Sequence, residues 1–140
     1  MKVAVEPASL SGFVPRFWRV GCCEMREHVR ASIAYIAGKL ISGSESGSVF
    51  DYATSRYIQF SGTVSEENVS IYDYSRSCYI SGAPQNLYHY GDSHYVSLTI
   101  DGQSFKGFDY GTNTYFSGNV SVRNISLFDY GEGKYFQYSI

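Results

Sequence analysis

The sequence predicts an all-β domain, an antiparallel up-and-down meander of about ten strands built from five hairpin repeats of ~20 residues. Three observations carry the prediction. First, a frame of Asp-Tyr, four turn-prone residues and Tyr recurs at Asp51-Tyr52 to Tyr57, Asp73-Tyr74 to Tyr79, His89-Tyr90 to Tyr95, Asp109-Tyr110 to Tyr115 and Asp129-Tyr130 to Tyr135, with His89 standing in the Asp position of the third copy. Second, apolar and polar side chains alternate with period two between the turns, as half-buried strands require. Third, turn signals fall again midway between the frames, near Glu45, Glu66-Glu67, Pro84-Gln85, Asp101-Gly102 and Arg123-Asn124, which gives two turns per repeat and hence a meander. About eight strands make a barrel that its own side chains fill. Ten therefore predict a flattened barrel, plugged or capped by residues 1 to 30, or a sandwich. The alternative, a β-solenoid, would bury the Asp of each frame among Ile and Leu.

Residues 1 to 30 lie outside the repeat and read as an irregular or short-helical N-terminal arm, with residues 31 to 140 forming the hairpin-repeat domain. Cys22 to Arg30 contains helix formers without Gly or Pro, which permits a short helix. Met25, Val29, Ile33, Ile36 and Leu40 also keep helical spacing. Against a long helix, Tyr35-Ile-Ala-Gly38-Lys-Leu40 matches Tyr115-Phe-Ser-Gly118-Asn-Val120. That match favours a strand from about residue 32 leading into the repeats.

Along the repeats the alternation separates two sets. Ile58, Phe60, Val64, Val69, Ile71, Val96, Leu98, Ile100, Phe116, Val120, Ile125, Leu127, Phe136 and Ile140 form a core face. Tyr, Ser and Gln form the other. Opposing Tyr130 to Tyr135 and Tyr115 to Tyr130 sets Val120 against Ile125 and Gly118 against Leu127. The same rule sets Phe60 against Ile71, Gly82 against Leu87 and Leu98 against Gly107, so the core set stays on one face. In this register Tyr52, Tyr57, Tyr74, Tyr79, Tyr90, Tyr95, Tyr110, Tyr115, Tyr130 and Tyr135 form one outward row, an aromatic girdle.

A formal net charge of −2, with eleven basic residues that form no run, argues against a nucleic acid or an anionic membrane as partner. No apolar stretch approaches the ~18 residues of a membrane-spanning helix, and the first ten residues lack the apolar core of a signal peptide. Cys22, Cys23 and Cys78 are an odd number without repeated spacing. They suit a reducing compartment, so a cytoplasmic location is expected. The sequons at Asn68, Asn119 and Asn124 are read as chance matches in a Ser- and Asn-rich chain.

The rim residues Asp51, Asp73, His89, Asp109 and Asp129 invite a metal or acid/base reading. They fall on alternate strands, roughly 10 Å apart, too far to converge on one ion. The expectation is that each carboxylate accepts backbone N–H groups of its own turn. Cys22 and Cys23 with Glu24 and His28 resemble a ligand set, but adjacent cysteines cannot both easily reach one tetrahedral ion. Neither metal nor cofactor is therefore expected. An enzyme would have to use Asp73, Cys78, His89 and His94, for which no nucleophile or phosphate-loop motif speaks.

The functional expectation is a non-catalytic binding module whose Tyr/Ser face or loop rim contacts a saccharide or a protein, since Tyr and Ser give contact area and hydrogen bonding at low entropy cost. The alternatives are a structural or self-assembling repeat protein and, behind it, the small enzyme. Open sheet edges would favour a homo-oligomer.

Overall fold

The computed structural model describes residues 25–140. Expectations for residues 1 to 24, including Cys22, Cys23 and Glu24, lie outside the described residues. Among the described residues, one helix, α1 (Glu27–Ser42), precedes ten strands: β1 (Ser48–Asp51), β2 (Arg56–Val64), β3 (Val69–Asp73), β4 (Cys78–Ala83), β5 (Asn86–His89), β6 (His94–Asp101), β7 (Ser104–Asp109), β8 (Thr114–Ser121), β9 (Asn124–Asp129) and β10 (Lys134–Ser139). Each strand pairs antiparallel with its sequence neighbours, and β1 pairs with β10, so the meander closes into a barrel. Antiparallel pairing throughout rules out the solenoid. Closure also leaves no open edge among the described strands, which removes the edge route to self-association.

The helix is the plug. Every residue from Val29 to Gly38 is buried, on all sides of the helix rather than along one stripe. A helix surrounded by sheet has no solvent face and so needs no polar one. The strand expected from about residue 32 is therefore wrong: the helical spacing of Met25, Val29, Ile33, Ile36 and Leu40 outweighs the local match to the β8 sequence. Ala31, Ala34 and Ala37, strong helix formers without exposed surface, add to the helical preference and keep the plug slim. Gly43 ends the helix at φ 71°, its N–H bonded to the Lys39 carbonyl at 3.0 Å. Because α1 runs across residue 30, the first repeat strand begins only at Ser48.

Barrel size follows from the register. Offsets between paired residues accumulate to a stagger of about 14 residues around the ten strands. That is ~46 Å along the strands against ~48 Å across them, hence a tilt near ~45° and a radius of roughly 11 Å. A helix on the axis then lies about 10 Å from the sheet, the distance at which side chains from both fill the space. Tyr35 stacks on Phe60, ring centroids 4.5 Å apart, and the predicted core set is buried, with Val64 and Ile100 at its margin.

The register is partly as expected. Val120 opposes Ile125, Gly118 opposes Leu127, Gly82 opposes Leu87 and Leu98 opposes Gly107. Tyr130 N–H bonds to the Tyr115 carbonyl at 3.1 Å. Across the Asp-Tyr turns the register differs by two residues: Phe128 faces Tyr135, and Tyr130 is the first of four loop residues. The third residue after each first Tyr explains the shift, because Ser55, Ser77, Ser93, Asn113 and Gly133 all take φ between 54° and 74°. A left-handed residue there closes a four-residue loop and pushes the first Tyr out of the pairing. Phe60 likewise faces Asp73 rather than Ile71, with Gly62 at φ 116° opposite Ile71. Shifts of two keep every side chain on its predicted face.

Candidate functional site

Two regions of the barrel hold the residues singled out from the sequence. The first is the outer belt. All ten tyrosines of the girdle are exposed, by 46–70%. The two-residue shift rearranges the single row into five aromatic triads, each with a half-buried ring flanked by two exposed ones. Phe50 sits between Tyr52 and Tyr57, Tyr72 between Tyr74 and Tyr79, Tyr88 between Tyr90 and Tyr95, Phe108 between Tyr110 and Tyr115, and Phe128 between Tyr130 and Tyr135. Every pair is edge-to-face with centroids 4.6 to 5.0 Å apart. That geometry sets the positive edge of one ring on the negative face of the next.

Between triads the floor is made of small hydroxylated residues. Ser97 faces Phe108 and Ser117 faces Phe128. The Tyr130 hydroxyl lies 3.3 Å from Ser117 Oγ, and the Tyr74 hydroxyl donates to Ser61 Oγ at 3.1 Å. One such gap forms a shallow depression of about 510 Å³, walled by Phe108, Tyr115 and Tyr130 and floored by Ser97, Thr99, Lys106 and Ser117.

The second region is the inner end of the barrel beneath the Asp-Tyr turns, where α1 begins. The rim expectation needs correcting in one respect: Asp51, Asp73, Asp109, Asp129 and His89 are buried, at most 1% exposed. Period two forces this, because the outward Tyr is followed or preceded by an inward neighbour. The turn role is as expected. One carboxylate oxygen accepts the N–H two residues on in each case, from Ala53, Ser75, Gly111 and Gly131, at 2.8 to 2.9 Å.

Each second oxygen has its own surroundings. Asp129 Oδ2 accepts from Met25 N–H at 3.1 Å and faces Arg30 Nη1 at 3.3 Å. Arg30 also lies over the Phe136 ring, 3.7 Å from its centroid. Asp109 Oδ2 accepts from the Thr112 hydroxyl at 3.1 Å, while His94 Nε2 lies 2.8 Å from the Oδ1 that serves the turn. Asp73 Oδ2 has no hydrogen-bond partner among the described residues.

Around His89 the structure assembles residues that the sequence reading left apart. Asp92 is held by Arg26 at 3.0 Å and by His28 Nε2 at 2.8 Å. The His28 and His89 rings are 5.2 Å apart. Burial pushes the Asp92 carboxyl up, but His28, His89 and Arg26 together outweigh it and hold the group below the usual carboxylate range. Burial lowers His89, Asp92 opposes that, and His28 and His94 reinforce it. The balance favours the neutral imidazole.

Cys78 is buried beside this cluster, and burial followed by the charge of Asp73 raises its thiol. A raised, enclosed thiol is the reverse of an activated nucleophile. Asp73, Cys78, His89 and His94 thus share one end of the barrel without a nucleophile–base contact. Among the described residues, His28, His89 and Asp92 are the group whose ligand atoms could converge on a metal ion. The sequence grouped His28 with Cys22, Cys23 and Glu24 instead, and Asp92 was passed over because it belongs to a turn. The available signal was the third repeat itself, the one frame with His where the others have Asp.

No family model matches the chain, and neither a curated protein nor a solved structure shows significant similarity to it.

Proposed function

We propose that the chain is a non-catalytic binding module that contacts a saccharide through its outer aromatic belt. The observation that carries this reading is the exposure of all ten belt tyrosines around a core that is already complete without them. Cross-strand ring pairs stabilise hairpins by ~0.5 to 1.5 kcal/mol, and one exposed ring per hairpin would suffice for that. Two per hairpin, with hydroxyl floors between them, suit a ligand that has both apolar faces and many hydroxyls. The depression between Tyr115 and Tyr130 has the volume range and composition of a small-ligand site: apolar walls with a few polar groups in Ser97, Ser117 and Lys106. The polar outward positions, mostly Ser, Thr, Gln and Tyr, also argue against the apolar lipid-facing band of a membrane barrel.

A glycan array with the wild type and with Tyr115→Ala/Tyr130→Ala tests the proposal. The expected result is a saccharide class bound by the wild type and weakened at least tenfold in the variant, with the circular dichroism spectrum unchanged. A blank array, with a pull-down that recovers a protein through the same tyrosines, would replace the saccharide by a protein ligand. Binding that survives loss of both rings would make the belt a purely structural feature.

A further inference from the structure

The third repeat departs from the other four at one position. They carry Asp51, Asp73, Asp109 and Asp129, whereas it carries His89, which follows Asp73 at the shortest spacing in the array. His89 performs the turn role of the missing Asp, since its Nδ1 accepts the Asp92 N–H at 3.2 Å. Asp73 and Asp129 accept the N–H at the same loop position, from Arg76 and Glu132, at 3.3 Å. An Asp would have served the turn. The imidazole adds something an Asp lacks: a second nitrogen, Nε2, inside the barrel and without a partner among the described residues, on a side chain only 1% exposed.

The same place receives the first turn of α1. His28 stands beside His89, and its Nε2 lies 2.8 Å from Asp92 Oδ2. Arg26 holds the other Asp92 oxygen at 3.0 Å, which turns Oδ2 toward the two rings. One ligand atom from each of His28, His89 and Asp92 lies within 4.8 Å of the other two.

We propose that His28, His89 and Asp92 bind a divalent transition-metal ion of the zinc class. Two imidazoles and one carboxylate suit Zn²⁺ or Co²⁺ better than Ca²⁺ or Mg²⁺, which prefer all-oxygen shells. Bonds of 2.0 to 2.2 Å in a tetrahedral site place ligand atoms about 3.4 Å apart. The His28–Asp92 contact therefore opens a little while His89 closes in. His28, with its side chain 14% exposed at the barrel mouth, is the member with room to adjust. Both histidines bind as neutral imidazoles with their one proton on Nδ1. For His89 that gives up the 3.2 Å bond from the Asp92 amide, and the ring turns so that its Nδ1–H no longer faces the Asp92 N–H. Water completes the shell.

The test uses the untagged full chain, stripped with a chelator and titrated with Zn²⁺ by calorimetry and with Co²⁺ by visible absorption. One ion per chain, micromolar or tighter binding, and a cobalt spectrum of four- or five-coordinate intensity are expected. His89→Asn is the central variant, because an Asn oxygen can keep the turn bond as the four Asp residues do while offering no imidazole. It should weaken Zn²⁺ binding at least tenfold, as should His28→Gln, whereas Cys22→Ser/Cys23→Ser should leave it unchanged. Should His89→Asn fail to fold, His28→Gln decides alone. Absence of saturable binding at micromolar Zn²⁺, wild-type affinity in His28→Gln, or loss of binding in the cysteine variant would each overturn the proposal.

Discussion

Replacing Arg30 by Met probes how the barrel accommodates charge at its plugged end. Arg30 is 8% exposed and Asp129 fully buried, with 3.3 Å between Arg30 Nη1 and Asp129 Oδ2. Removing one partner of a buried pair costs about 3 to 5 kcal/mol when it leaves the other charge bare. Asp129 is not left bare. It keeps the N–H groups of Gly131 at 2.8 Å, Glu132 at 3.3 Å and Met25 at 3.1 Å. The guanidinium also gives up its place over Phe136, worth about 1 kcal/mol. The expected cost of Arg30→Met is therefore about 2 to 3 kcal/mol, toward the lower end of the range for buried pairs. Asp129→Asn keeps the turn bonds on one oxygen but sets an amide NH2 where Oδ2 accepted the Met25 N–H, so it should cost about 2 to 3 kcal/mol in the wild type and about 1 once Arg30 is gone. Urea unfolding of the four proteins closes the cycle, with a coupling of about 1.5 kcal/mol and an unchanged denaturant slope as the expected result. Additivity to within about 0.5 kcal/mol would refute the pair. A stabilised Arg30→Met would refute the claim that the pair contributes favourably.

Two further substitutions test the packing and the closure. At Gly118 an added Cβ would meet the Ser126 carbonyl oxygen at 2.0 Å and the Phe105 ring at 2.6 Å. Because backbone must move, Gly118→Ala should cost about 3 kcal/mol or more, whereas Gly102→Ala should cost about 1, since that loop has φ +64° but nothing within 4 Å. Equal melting temperatures for the two would refute the close approach. Tyr52→Pro strikes the seam, because it removes the N–H that Tyr52 donates to the Gln137 carbonyl at 3.1 Å. It should cost about 1 to 2 kcal/mol by leaving that carbonyl unpaired, and a melting temperature equal to the wild type's would refute the seam bond.

The sequence made the sheet legible because its two signals are local and repeated. Period two assigns Ile125 and Leu127 inward and Ser126 and Phe128 outward irrespective of partner, so a register wrong by two at each Asp-Tyr turn still places every side chain on its true face. The error came from a backbone feature with no fixed residue type: Ser, Asn and Gly all take the left-handed position. The plug was harder to read. A helix buried all round has no polar stripe, and Tyr35 to Leu40 satisfies a strand template by chance. The inner cluster was partly legible, since His89 marks an irregular repeat. Arg26, His28 and Arg30 became neighbours of the turn residues only because the helix threads the barrel. No spacing rule along the chain encodes that.

The seam between β1 and β10 also dictates an order of events. Every other strand pair joins neighbours through a short turn, and such hairpins form quickly and independently. Phe50 and Ser139 come from opposite ends of the repeat array, and their pairing encloses a helix that no finished cylinder could admit. The helix must therefore be in position while the sheet is still an open ribbon, and the first strand has to wait for the last. Emerging from the ribosome, the chain presents α1 first and then the hairpins in the sequence in which they wrap around it. Synthesis and wrapping run in the same direction, and the last strand of the array is the one that locks the ring.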